Sequence, residues 1–396
     1  MAARGQGGHG QGGVGSVSLT TELSSGPLAD WFRDRFPGAA IADVLGRELA
    51  GVPRAPMPDG ALGRGHWAAV GGAFGTRLAW AVEPAPPYYA LLGAYNAGLV
   101  PWTTANTAAA GFPSHRLGSR PGEMTPRTAL GWRPTPTGWV DTAPPPDKTP
   151  TGREWGTHSG LVASFAARAA AFLERVPPGG WGSPGEETVL ARIALVLTDW
   201  EQGYRRGDLD ATARAALADA VATWDPPAAL LREVDPAALA DVTDLIAHAR
   251  TRGLLDTLAD AAHPRRGEAG VARGHAFPTF VERWADGDLL LDPGAGEPTT
   301  LIDIKTITRV RDRSTALRWV HQLLGYAYLA ALFCPEWRLG RVGLCFARHA
   351  HVVSWDLDEL AGLLAGTPTP GAFDRERAGF ERVFRETMAD RGLQLT

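Results

Sequence analysis

The tripeptide Asp303-Ile304-Lys305 is where residue type and spacing point most directly to chemistry. The chain has 39 Lys+Arg residues, yet only Lys148 and Lys305 are lysines. Three of its six isoleucines, Ile302, Ile304 and Ile307, fall in the run Leu301-Ile302-Asp303-Ile304-Lys305-Thr306-Ile307-Thr308. A guanidinium is a wide planar fork, whereas an ammonium is a compact point charge that can approach one water or one oxygen in a tight site. A chain that otherwise uses arginine has kept that compact charge at Lys305. Alternate residues of a strand share a face, so Asp303 and Lys305 project to one side while Ile302, Ile304 and Thr306 enter the opposite, buried side.

A second carboxylate comes from the preceding strand. Asp288-Leu289-Leu290-Leu291 is separated from the Asp303 run by the turn-rich Asp292-Pro293-Gly294-Ala295-Gly296-Glu297-Pro298, which lets the two pair as a hairpin. That pairing brings Asp288 beside Asp303, with Asp286 as its rival. Two carboxylates next to a lysine suit Mg²⁺ or Mn²⁺, because a hard divalent ion takes one or two protein carboxylates and leaves its other positions to water and substrate phosphate. Such an ion acidifies water and neutralises charge on a phosphoryl transition state. Lys305 would orient the attacking water or help deprotonate it.

Three stretches, Trp284-Ala285-Asp286-Gly287-Asp288-Leu289-Leu290-Leu291, Leu301-Ile302-Asp303-Ile304-Lys305-Thr306 and Gln322-Leu323-Leu324-Gly325-Tyr326, together resemble the PD-(D/E)XK nuclease superfamily, especially its RecB-like members. The resemblance runs from Phe277 to Trp355. It implies a restriction-endonuclease-like mixed sheet flanked by helices, with Asp288 and Asp303 as metal ligands and Lys305 as the catalytic lysine. It also implies that Gln322 and Tyr326 line the same cleft, and residues four apart on a helix do share a face. The family usually adds an acid from an earlier helix. Glu201 is the preferred candidate, with Asp241 and Asp244 as alternatives. The stretch Val70-Gly71-Gly72-Ala73-Phe74-Gly75-Thr76-Arg77-Leu78 resembles uncharacterised bacterial proteins that carry this core after a helical N-terminal region.

Arg309, Arg311, Arg313 and Arg318 follow Lys305, giving residues 301–320 a net charge of +3. That sign suits a phosphate backbone, and Trp319 could stack on a base. Arg265, Arg266, Arg273 and Arg283 could extend the surface. His349-Ala350-His351 would need a third ligand to hold zinc, and none is evident. No Walker-type or G-x-G-x-x-G phosphate loop stands between a strand and a helix.

These residues need a scaffold, and the remainder of the chain describes one. With 396 residues, 44% hydrophobic and 21% charged, the chain reads as globular and large enough for more than one core. Its formal net charge of -4 leaves no global basic footprint, so nucleic acid would be held by a local patch. Cys334 and Cys345 lie in apolar surroundings and read as buried thiols. Residues 1–16 are glycine-rich and are expected to be a disordered tail rather than a secretory signal. No apolar run reaches the roughly 20 residues of a membrane helix, so a cytoplasmic protein is expected.

Residues 17–234 read as mainly helical. Helices are signalled at Pro27 to Phe36, at Gly160 to Val176, and from a Ser183/Glu186 capping box to Gly207. An irregular Pro/Gly-rich stretch is expected over 84–156. Residues 235–396 read as the α/β module: a helix after Asp235-Pro236, strands at Thr279 to Val281, Asp288 to Leu291 and Leu301 to Thr308, then a helix from Ser314 to Phe333. Paired strands follow at Arg341 to Arg348 and Val352 to Trp355, with a closing helix near Phe373 to Met388. The expected function is a Mg²⁺- or Mn²⁺-dependent nuclease acting on DNA ahead of RNA, in host defence or DNA processing by resemblance, with a possible protein partner at the N-terminal region. The alternative is a catalytically silent nuclease fold that binds nucleic acid or a protein.

Overall fold

The computed structural model describes residues 18–58, 62–114, 132–135, 138–141, 158–206, 208–262, 272–281, 284–294, 297–310 and 312–391. The expected disordered tail, Gly207, Arg265, Arg266, Arg283 and Arg311 lie outside the described residues. Helices come first: α1 (Leu19–Glu22), α2 (Pro27–Arg35), α3 (Ile41–Glu48), α4 (Arg64–Val82), α5 (Tyr88–Asn96) and α6 (Trp102–Ala110). A small hairpin of β1 (Trp132–Thr135) and β2 (Gly138–Asp141) leads to α7 (Ser159–Arg175), α8 (Pro184–Arg206), α9 (Ala211–Val221), α10 (Pro226–Arg232), α11 (Pro236–Thr251) and α12 (Leu254–Ala262). Four short strands follow: β3 (Gly274–Ala276), β4 (Thr279–Val281), β5 (Ala285–Asp286) and β6 (Leu289–Leu291). Then come β7 (Thr299–Lys305), α13 (Arg313–Phe333), β8 (Leu339–Phe346), β9 (His351–Asp356), α14 (Leu357–Ala365) and α15 (Ala372–Asp390).

The helix starts have local causes. At α8, Glu186 Oε2 accepts from Ser183 N at 2.8 Å and Ser183 Oγ accepts from Glu186 N at 3.4 Å, the reciprocal cap its sequence signals. Asp235 accepts from Ala237 N at 3.1 Å, with Pro236 in the first turn of α11. Asp312 starts α13 by accepting from Thr315 N at 2.8 Å.

The irregular stretch expected over 84–156 is corrected at its start, where the chain forms α5 and α6. Glycine misleads there. A Cβ on Gly93 would lie 1.9 Å from the Trp200 carbonyl oxygen, and one on Gly203 2.7 Å from the Gly93 carbonyl. These glycines let α5 and α8 touch backbone to backbone; they do not mark turns.

The protein is mixed α/β. Its five-stranded sheet has the order β3-β6-β7-β8-β9. Pairing is antiparallel from β3 to β7, parallel between β7 and β8, and antiparallel between β8 and β9. A parallel neighbour requires a crossover, and α13 supplies it. One face, with Leu289, Leu291, Ile302 and Cys345, packs into a core with α4, α5, α8, α11 and α12. The other, with Leu290, Leu301, Val342, Leu344 and Phe346, packs into a core with α13, α14, α15 and the N-terminal α1–α3. Each core therefore draws on residues from both sides of the 234/235 boundary. Both cysteines are buried, and neither is in a disulfide. Among the described residues no helix is long and apolar enough to cross a membrane.

Two buried charged contacts set the position of α4. Arg77 forks onto Glu187 of α8 with two bonds of 2.6 Å, and Trp181 covers its guanidinium at 4.8 Å. Near the other end of α4, His66 Nε2 lies 3.1 Å from Asp241 Oδ2 of α11, which also accepts from Arg348 Nη2 at 2.6 Å. Asp241 is thus committed to that network. Asp244 is exposed on the same helix.

Candidate functional site

The antiparallel register pairs Leu289 with Ile302, so Asp288, one step earlier, falls opposite Asp303. Asp288 stands at a kink in the hairpin. The β3–β6 ladder extends through Phe277 N donating to the Asp288 carbonyl at 3.0 Å, and the β4–β5 ladder begins beyond Pro278 and Gly287. The Asp288 side chain turns onto β7, where Oδ2 accepts from Ile304 N at 2.6 Å.

Asp303 and Lys305 share a face as strand alternation requires, and Ile302 lies in the opposite core. Lys305 Nζ is 2.5 Å from Asp303 Oδ2. It also donates to Gln322 Oε1 at 3.1 Å, and Gln322 Nε2 donates to the Tyr326 hydroxyl at 2.7 Å. Gln322 therefore meets the lysine from α13, and Tyr326 meets Gln322. Tyr326 is buried, with its ring stacked on Phe280 at 5.1 Å. Burial first, then the Asp303 and Asp286 carboxylates, raise its pKa well above the usual tyrosine value, so the phenol keeps its proton.

Burial is also the main cause at Asp288, reinforced by the charge of Asp303, and its pKa is pushed up to about 7 despite the Ile304 amide and Lys305. Two facing carboxylates with one ammonium hold more negative charge than the site neutralises, and that excess is what a hard cation relieves. Among the described residues no group of three or more His, Cys, Asp and Glu is spaced to hold a metal ion. The donors at hand are the two carboxylates that Mg²⁺ commonly takes from a protein, the remainder being water and phosphate oxygens.

The raised pKa has a consequence for stability. The Asp288 carboxyl is pushed from near 4 up to about 7 on folding, so the contribution of this one group to stability is fully present below pH 4 and is lost as pH rises to about 7. Asp288→Asn should remove this slope and raise the metal-free protein's stability above pH 7 by on the order of a few kcal/mol. Thermal melts of both proteins at pH 5 and pH 8 check it; an equal or lower midpoint for the variant at pH 8 would count against the buried-acid assignment.

A cleft with a volume of about 260 Å³ opens beside Asp288. Its walls include Gly71, Gly72 and Gly75 of α4, Glu201 and Arg205 of α8, and Tyr89, Phe277 and Asp286; Asp303, Lys305, Gln322 and Tyr326 do not line it, so the expectation that the α13 pair shares this cleft is corrected. Arg205 bridges two of the carboxylates, reaching Asp286 at 2.8 Å and Glu201 at 2.5 Å. The Asp286 charge, with that of Glu201, raises the guanidinium pKa further. Glu201 lies in the cleft but is paired with Arg205, and it does not form a ligand group with Asp288 and Asp303. Asp286, the rival of Asp288, is held by the same arginine.

The basic segment is only partly a free surface. Arg309 and Arg318 are exposed, whereas Arg313, also exposed, donates to the Pro37 carbonyl at 2.7 Å. Trp319 is not presented as a base platform: it is half-buried and meets the Phe346 ring edge-on at 6.1 Å. His349 is buried and His351 half-buried, and neither joins a metal-holding group.

The sequence gives no site role to Arg205 or Phe277, and the stretch with Gly71, Gly72 and Gly75 carries only a likeness of architecture. Gly71 and Gly75, one helical turn apart, were the available signal. Comparison of the chain with protein-family models, with curated proteins and with solved structures gives no match.

Proposed function

We propose that this protein is a metal-dependent nuclease that hydrolyses phosphodiester bonds of nucleic acid, DNA ahead of RNA, with Mg²⁺ or Mn²⁺. The observation that carries the reading is the convergence of Asp288, Asp303 and Lys305 from paired strands, with Gln322 and Tyr326 completing a hydrogen-bonded row from α13. Further support comes from the strand order: three antiparallel strands, a crossover helix and a fourth strand parallel to the third, as a restriction-endonuclease-like core would have.

Asp288 and Asp303 would hold the ion, which when bound supplies charge neutralisation at the phosphoryl group and acidifies water. Lys305, ion-paired with Asp303 and hydrogen-bonded to Gln322, would orient a water or a phosphate oxygen. Tyr326 fixes the Gln322 amide and thereby the lysine. Arg309 and Arg318 provide exposed positive charge for the flanking backbone.

The test is incubation with plasmid, linear duplex, single-stranded DNA and RNA in Mn²⁺ or in EDTA. Cleavage that needs the metal is expected, with DNA cut faster than RNA. Equal activity in wild type, Asp303→Ala and Lys305→Ala would remove the proposal. Binding of nucleic acid without cleavage would favour the silent-module alternative.

A further inference from the structure

Arg205 is taken by Glu201 and Asp286, and Lys305 is ion-paired with Asp303, so an incoming polyanion needs positive charge from another quarter. It lies past the carboxyl ends of β7 and β8. The two strands run parallel with Lys305 beside Phe346, and both stop there. In open α/β sheets ligands bind outside such carboxyl ends.

Segment 52–58, the link from α3 to α4, is tied to both ends. Ala55 N donates to the Arg348 carbonyl at 2.7 Å, and Arg348 Nη1 donates to the Pro56 carbonyl at 3.2 Å, which fixes the segment to the turn after β8. Beyond β7, Arg54 Nη1 donates to the Thr308 carbonyl at 3.3 Å. Thr308 is three residues past Lys305, so their Cα atoms are within roughly 11 Å of each other.

Arg54 is exposed, as is Arg309 next to its anchor, and neither forms an ion pair among the described residues. The neighbouring acids do not cancel them. Asp241 is bonded to Arg348 and His66, Asp312 caps the first turn of α13, and the charge of exposed Glu48 acts on His351. The charge of Arg54 is felt at His349, three residues past Phe346. His349 is buried, and burial first, then Arg54, His351 and His248, lower its pKa to about 4, so it is neutral at pH 7. Its Nδ1 has no hydrogen-bond partner among the described residues, a buried polar atom of the kind that a ligand or a water completes.

We infer, building on the nuclease reading, that Arg54 is a substrate-binding residue: the N-terminal region reaches over the carboxyl ends of β7 and β8 and holds a backbone phosphate close to the one that is cut. The Thr308 carbonyl positions the guanidinium without neutralising it, and the fork keeps further N–H groups for two phosphate oxygens. A contact to phosphate adds affinity and register but no sequence preference.

The test uses Lys305→Ala protein with Mn²⁺, so that a bound short fluorescent DNA duplex stays uncut, and follows binding across a range of salt. Adding Arg54→Gln should weaken binding on the order of 10-fold at low salt and reduce the slope of log Kd against log salt by about 1, as loss of one phosphate contact does. Arg54→Lys retains the charge and should retain the slope. Arg375→Gln, an exposed arginine of α15, should change neither. Full affinity and slope in Arg54→Gln, a slope in Arg54→Lys as low as in Arg54→Gln, or no binding by any of the proteins would overturn the inference. Displacement of the duplex by micromolar inorganic phosphate would mark a free-anion site and overturn it too. Cleavage is scored in parallel with Lys305 intact, where Arg54→Gln should raise KM and leave kcat near wild type. Metal-dependent cutting alongside any of the overturning results leaves the nuclease reading standing, whereas Arg54-dependent binding without cutting removes that reading and leaves the phosphate contact.

Discussion

Asp303→Asn and Lys305→Ala will each lower Mn²⁺-dependent cleavage by on the order of 10²–10³-fold, the scale seen when one preorganised electrostatic group is taken from an active site. The two should fail differently. Asp303→Asn removes one of the two proposed ligands, so its activity should respond weakly to added Mn²⁺. Lys305→Ala leaves both carboxylates and should keep its metal affinity while kcat falls, as expected when the lost contact acts in the transition state. Gln322→Ala should be milder, because Lys305 retains Asp303 at 2.5 Å when its second partner is gone. Cleavage by Lys305→Ala at wild-type rate would show that the lysine is a structural counter-ion only.

Arg77→Met will destabilise the fold by roughly 3–5 kcal/mol, the cost of leaving a buried partner charge uncompensated. Glu187 is buried, and its remaining bond is from Gly182 N at 2.5 Å. Because the pair joins α4 to α8, its loss also loosens both walls of the cleft. The double variant Arg77→Met/Glu187→Leu should recover most of the stability, since replacing both charges with apolar groups of similar size leaves none unpaired. Urea denaturation of the three proteins measures this, and a single variant as stable as wild type would contradict the role given to the pair.

Alternation in the Asp303 run and the turn before it were enough to place Asp288 opposite Asp303, because both depend on local geometry. The end of that strand was less legible. The chain leaves the sheet after Lys305, short of Thr308, where Thr306 meets Gly71 of α4. Nothing local to residue 306 encodes a helix more than 200 positions earlier. The same limit hid Arg205, whose partner Asp286 is 81 positions away, and Tyr89, bonded to Thr279 across 190. Gly93 shows the converse, a residue with a turn-like local signature placed in a helix by a tertiary contact.

The central claim is that Asp288 and Asp303 jointly hold one divalent ion. Titration of Mn²⁺ into wild-type, Asp288→Asn, Asp303→Asn and Glu201→Gln proteins, with free Mn²⁺ read by electron paramagnetic resonance at pH 6 and pH 8, tests it most directly. One saturable site is predicted in wild type, tighter at pH 8 because Asp288 must first lose its proton. That site should be lost in both aspartate variants and kept in Glu201→Gln. Wild-type protein without a saturable site, or Asp303→Asn that binds Mn²⁺ as tightly as wild type, would contradict the account.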